Sequence, residues 1–208
     1  MKPFPTLWDL HPKIRLDVMT AMIVAPPGWK LRPYTESKRW KGTPGFGPFP
    51  LKWVRDAERL CAFYNCKFTM TPGDEESGSG WFQYWKKDKP GEICLLSIPE
   101  EDGTCFMPSW QFVATLAHEL SHAIQWKFYN NPIRHLPGYG KRLSVQLAWE
   151  IEASRLSVRV WKKLMYDTIP DIPPKEFRCY MTKKSRLFLL EEWPGMVDDI
   201  GLTGQKHR

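Results

Sequence analysis

Residues Thr115 to Ile124 read Thr-Leu-Ala-His-Glu-Leu-Ser-His-Ala-Ile, which places His118, Glu119 and His122 in one H-E-x-x-H pattern. Residues four apart lie on one face of an α-helix, so His118 and His122 can offer two imidazole nitrogens to one metal ion. Glu119 sits one residue off that line. It can reach a water in the ion's open position as a general base without being a ligand. Phe112, Val113, Leu116, Ala117, Leu120, Ala123 and Ile124 make the segment apolar nearly all round, the pattern of a buried helix. Apart from Glu119, no charged residue lies between Gln111 and Trp126. Buried imidazoles and a buried carboxylate need partners, and a metal satisfies all three. The competing reading is a core helix with two hydrogen-bonded histidines.

Two histidines do not complete a catalytic zinc site, which usually takes three protein ligands and a water. Downstream, Leu147 to Ser157 reads as a second helix with two carboxylates, Glu150 and Glu152. Two residues apart on a helix, they point in roughly opposite directions, and only one can face the metal. The Glu150 face also carries Gln146, Leu147, Ala153, Ser154 and Ser157, which suit close packing. The Glu152 face carries Arg155 and Arg159, the pattern of a solvent-side ion-pair row. Glu150 is therefore the expected third ligand, with Glu152 as the alternative. Ser154, one turn on, is the expected hydrogen-bond support for a ligand.

His118-Glu119-x-x-His122 followed by Glu150-x-x-Ala153 resembles the gluzincin group of zincin metallopeptidases. The resemblance covers about residues 110–160. It implies Glu150 as ligand and a supporting group at Ser154, where the group more commonly has Asp or Asn. The 28-residue step from His122 to Glu150 resembles the short spacing of small intracellular ImmA/IrrE-like and ArdC-like domains. No third His stands at the short spacing of the metzincins. The implied fold is α+β: a minimal zincin-like domain with a small mixed sheet packed on the metal helix and on a second, ligand-bearing helix. The implied activity is zinc-dependent (Zn2+) hydrolysis of a protein or peptide substrate. The resemblance also makes Ile93 to Ile98, the strand before the metal helix, the cleft edge on which a peptide would dock; the competing reading is a central hydrophobic strand.

Between the two helices, residues 127–142 should border the site. His135 and Tyr139 there are candidate donors to the oxyanion of amide hydrolysis. Net charge is +7. That balance suits an acidic partner such as nucleic acid as well as a merely solvated surface. Lys38-Arg39-Trp40-Lys41-Gly42, which mixes cations with an aromatic, is the candidate contact. The five cysteines show no zinc-finger or C-x-x-C spacing and read as reduced thiols of a cytoplasmic protein. The start, Met-Lys-Pro-Phe-Pro, lacks an apolar signal core, and no membrane span is expected.

The expected organisation is a Pro/Trp-rich N-terminal extension (1–50) wrapping a core (51–165), then a helical extension and tail (166–208). Within it, a short helix is expected over 11–23, with Ile14, Val18 and Met22 one turn apart. A helix is expected over Leu51–Asn65, strands over Cys66–Thr71, Trp81–Trp85 and Ile93–Ile98, and a last helix over Phe177–Glu192. Ser109 is the expected N-cap of the metal helix. There is no Gly-rich phosphate loop, internal repeat or Ser-His-Asp signature.

Overall fold

A computed structural model describes residues 7, 10–31, 39–40, 49–72, 80–83, 89–99, 105–107, 109–129 and 143–168. The architecture is α+β, as expected. In chain order come α1 (Pro12–Ala21), the two-residue strands β1 (Arg39–Trp40) and β2 (Phe49–Pro50), and α2 (Leu51–Phe63). Then follow β3 (Cys66–Pro72), β4 (Gly80–Gln83), β5 (Gly91–Pro99), β6 (Cys105–Phe106), α3 (Ser109–Tyr129) and α4 (Leu143–Val160). A five-residue π-helical stretch, Trp161–Met165, continues α4. The last predicted helix, Phe177–Glu192, lies outside the described residues, as does most of the Lys38–Gly42 loop.

The sheet is mixed, in the order β3-β5-β4. β3 runs parallel to β5, from Cys66 opposite Gly91 to Pro72 opposite Ser97. β4 runs antiparallel on the other side, from Gly80 opposite Leu95 to Gln83 opposite Glu92. Ile93, Cys94, Leu95 and Leu96 of β5 are all buried. A near-continuous apolar run is what a strand covered on both faces requires.

That order corrects one expectation. Ile93–Ile98 is the centre of the sheet, not a cleft edge. It pairs with β3 over Ile93–Ser97, with β4 over Ile93–Leu95 and with β6 at Ile98, so most of its length is already flanked by strands.

α3 lies across β4 and β5, and α4 packs along α3. Phe112 of α3 joins the layers, with its ring 5.3 Å from Trp53 of α2 and 6.1 Å from Phe68 of β3. α2 buries Trp53, Val54, Ala57, Leu60 and Cys61 at helical spacing. α3 begins at Ser109, the residue expected as its N-cap, so the helix starts one position earlier than expected. Cys61, Cys66 and Cys94 are free and buried. Burial pushes the Cys66 thiol up to about 12 and raises that of Cys61, so both are poor nucleophiles.

α1 turns the opposite way from its apolar spacing. Ile14 and Val18 are exposed, at 51% and 43%, while Arg15 and Met19 are buried. The inward face is chosen by Arg15, which has a buried partner on α4. Met19, Ile23, Trp29 and Leu31 join the same core cluster as Leu116 and Leu156.

Gly80 marks the tightest contact between sheet and metal helix. A Cβ there would come within 2.6 Å of Thr115 Cγ2 and 2.8 Å of the Cys94 carbonyl oxygen. Gly80→Ala should therefore destabilise the fold by about 1–3 kcal/mol through overpacking, read as a lower urea midpoint at unchanged m-value.

Candidate metal centre

The second to fifth turns of α3 carry the polar groups of an otherwise apolar helix. Thr115, Glu119, Ser121, His122 and Gln125 are all buried there. Helical spacing brings His118 and His122 together, with their rings 4.8 Å apart. α4 brings Glu150 to the same point. The three ligand-type atoms form a nearly equilateral triangle. His118 Nε2 lies 3.1 Å from His122 Nε2, and Glu150 Oε2 lies 3.1 Å and 3.2 Å from the two nitrogens.

A triangle of this kind is poorly explained by hydrogen bonds. Each neutral imidazole has at most one proton, which cannot point along two edges at 60°. A cation with tetrahedral bonds of roughly 2.0–2.1 Å needs ligand-to-ligand edges of about 3.3–3.4 Å. The observed edges fall just short of that, so the donor set fits a small divalent ion. These three residues form a group that can hold a metal.

Burial is graded across the site. The side chains of His122, His118 and Glu150 are 7%, 14% and 27% exposed, so the centre opens toward Glu150. Burial opposes ionisation of Glu150, but the charges and hydrogen bonds of His122 and His118 outweigh it. They hold the carboxyl well below its ordinary value. Glu119 behaves in the opposite way. Burial pushes it up to about 7, with the Glu150 charge adding to the rise and His118 opposing it. A bound divalent cation would add a further lowering contribution.

His122 is held on three sides. Its ring lies nearly parallel to Phe82 of β4 (6.4 Å, 14°) and to Trp149 of α4 (5.7 Å, 15°). Its Nδ1 meets Gln125 Oε1 at 3.0 Å. Ser154 is buried on α4, and its carbonyl accepts from Ser157 Oγ at 2.8 Å.

No protein-family model, curated protein or solved structure matches this chain. What the site can do is therefore argued from its own geometry.

Glu152 stands outside the convergent triangle and is not part of a solvent-side row, the second of which corrects the sequence expectation. It is buried, and Arg15 Nε donates to Oε1 at 3.0 Å. Gln125 Nε2 donates to Oε2, and the Tyr129 hydroxyl to the same carboxylate, both at 2.9 Å. Arg159 turns to α1 instead, donating to Asp17 Oδ1 at 2.9 Å. His135 and Tyr139 lie outside the described residues. Gln125, Phe82, Trp149 and Arg15 were not singled out from the sequence. Only Gln125 carried a local signal, as a neutral polar residue three positions after His122 on a buried helix.

Proposed function

We propose that this chain is a zinc-dependent peptidase that hydrolyses peptide bonds in a protein substrate, the activity its resemblance to gluzincins implies. The observation that carries the reading is the triangle of His118, His122 and Glu150 with the buried carboxylate of Glu119 beside it. Zinc bound to those three side chains would supply a Lewis acid that lowers the pKa of water toward neutrality.

The chain's own residues supply the rest. Glu119 takes up and returns a proton at its carboxylate, in a site whose burial keeps the base poorly solvated. Glu150 and the two histidines leave one side open toward solvent, where a substrate carbonyl can approach. An extended peptide docks along β4, which among the described residues pairs with β5 alone. Gly80 places that strand close over Thr115 and Glu119 because it has no Cβ to hold the two apart. No described helix is long and apolar enough to cross a membrane.

The test is elemental analysis of the purified protein after zinc loading, with cleavage of an unfolded protein and a quenched-peptide library measured in parallel. One zinc per chain and cleavage abolished by a chelator and restored by zinc are expected. Zinc-loaded protein that cleaves neither substrate would reject the peptidase reading, and failure to bind zinc would reject the metal reading beneath it.

A further inference from the structure

The contacts of His122 lead away from the metal centre to the N-terminal helix. Along this path every hydrogen bond has a forced direction. A guanidinium only donates, so Arg15 Nε donates to Glu152 Oε1 at 3.0 Å. An ionised carboxylate only accepts, so the group 2.9 Å from Glu152 Oε2 must be the amide nitrogen of Gln125. The same nitrogen donates to the Trp149 carbonyl at 3.1 Å, a second acceptor that fixes the amide the same way round. Gln125 therefore turns its oxygen to His122 Nδ1, 3.0 Å away. An amide oxygen only accepts, so Nδ1 carries the proton and Nε2 is left with its lone pair. That lone pair lies at the triangle shared with His118 and Glu150.

All four members are buried: Arg15 is 2% exposed, Gln125 0%, and Glu152 and His122 5% each. Water therefore cannot substitute for a missing partner.

We infer that Gln125 is a positioning residue that holds His122 in the tautomer offering Nε2 to a metal, and that Arg15 of α1 sets the orientation of Gln125 through Glu152. The N-terminal helix is then a working part of the metal centre. Arg15 is also tied by its other end, donating through a terminal nitrogen to the Leu10 carbonyl at 2.7 Å. The inference rests on His122 being a ligand in the proposed function, and it is independent of whether peptides are cleaved.

The experiment reads the imidazole directly. Two-bond proton–nitrogen spectra of the zinc-free, nitrogen-15-labelled full chain report which ring nitrogen of His122 is protonated. The expected result is Nδ1–H in the wild type and a shift toward Nε2–H in Gln125→Met. Zinc affinity, measured by chelator competition, should fall about 10–100-fold in that variant and by a smaller factor in Arg15→Gln. The double variant Gln125→Glu with Glu152→Gln keeps an acceptor for Nδ1–H and a donor behind it. It should restore the wild-type tautomer and recover part of the lost affinity, since the bond to the Trp149 carbonyl is given up.

Wild-type His122 protonated on Nε2 would overturn the inference without any variant having to fold. Folded Gln125→Met with unchanged tautomer and zinc affinity would overturn it too. Unchanged affinity in Arg15→Gln would remove α1 from the relay. A wild type that binds no zinc but shows Nδ1–H, lost in Gln125→Met, would support the tautomer lock while rejecting the metal reading.

Discussion

Replacing Glu119 with glutamine is expected to lower peptide turnover by about 10²–10⁴-fold while the protein still binds one zinc. Glu119 is not one of the three side chains that converge on the metal position. It is linked to the centre through charge, since His118 lowers its pKa and Glu150 raises it. Glutamine has nearly the same shape but no basic oxygen with which to accept a proton at neutral pH. The fold should tolerate the exchange well, because burial already disfavours the charged carboxylate and pushes it up to about 7. Zinc content, circular dichroism and steady-state kinetics on a quenched peptide separate the outcomes. Turnover at the wild-type rate would remove Glu119 from the mechanism. Loss of zinc with the activity would make Glu119 part of the metal-holding group. Glu119→Asp, which keeps the charge but withdraws it by one methylene, should fall between glutamine and wild type.

The features legible in the sequence are the ones whose causes are local. His118 and His122 meet because of helical spacing alone, and α2 shows its buried face through the same period. The apolar run of β5 reads as a strand, but its place at the centre depends on the chain crossing from β3 over to β4 and back. No feature of Ile93–Ile98 itself records that path.

Glu152 shows the limit most clearly. Helix spacing paired it with Arg155 and Arg159; Arg155 does feel its charge, but its buried ion-pair partner is Arg15, 137 positions earlier. The same long-range contact explains why α1 does not bury the row of Ile14 and Val18 that its apolar spacing marks. A buried carboxylate needs a cation more than the core needs Ile14 and Val18, so Arg15 turns inward and the two aliphatic side chains turn out. Glu150 was separable from Glu152 only because its helix face is small and neutral. The aromatic clamp of Phe82 and Trp149 comes from two other elements and leaves no trace in the H-E-x-x-H pattern.

Two glutamates two positions apart on α4 should consequently fail in opposite ways. Glu150→Ala is expected to weaken zinc binding by more than the roughly 10–100-fold cost of losing a supporting group, because a ligand itself is removed. The zinc-free fold should barely change, since the Glu150 side chain is 27% exposed and water can take its place.

Glu152→Ala removes a buried acceptor shared by Arg15, Gln125 and Tyr129. It leaves a guanidinium that is 2% exposed without its carboxylate. Breaking a buried pair from one side costs about 3–5 kcal/mol, a large part of the roughly 5–15 kcal/mol that holds a domain folded.

Urea denaturation of the zinc-free variants and the gain in stability on adding zinc distinguish the two. Zinc at about 100 times its dissociation constant should add about 2.7 kcal/mol to the wild type, and that gain should vanish in Glu150→Ala. In Glu152→Ala the zinc-free midpoint itself should drop. If Glu152→Ala kept its stability and lost zinc while Glu150→Ala did the reverse, the ligand assignment would be inverted. The network from Arg15 would then have to be read as part of the metal site itself.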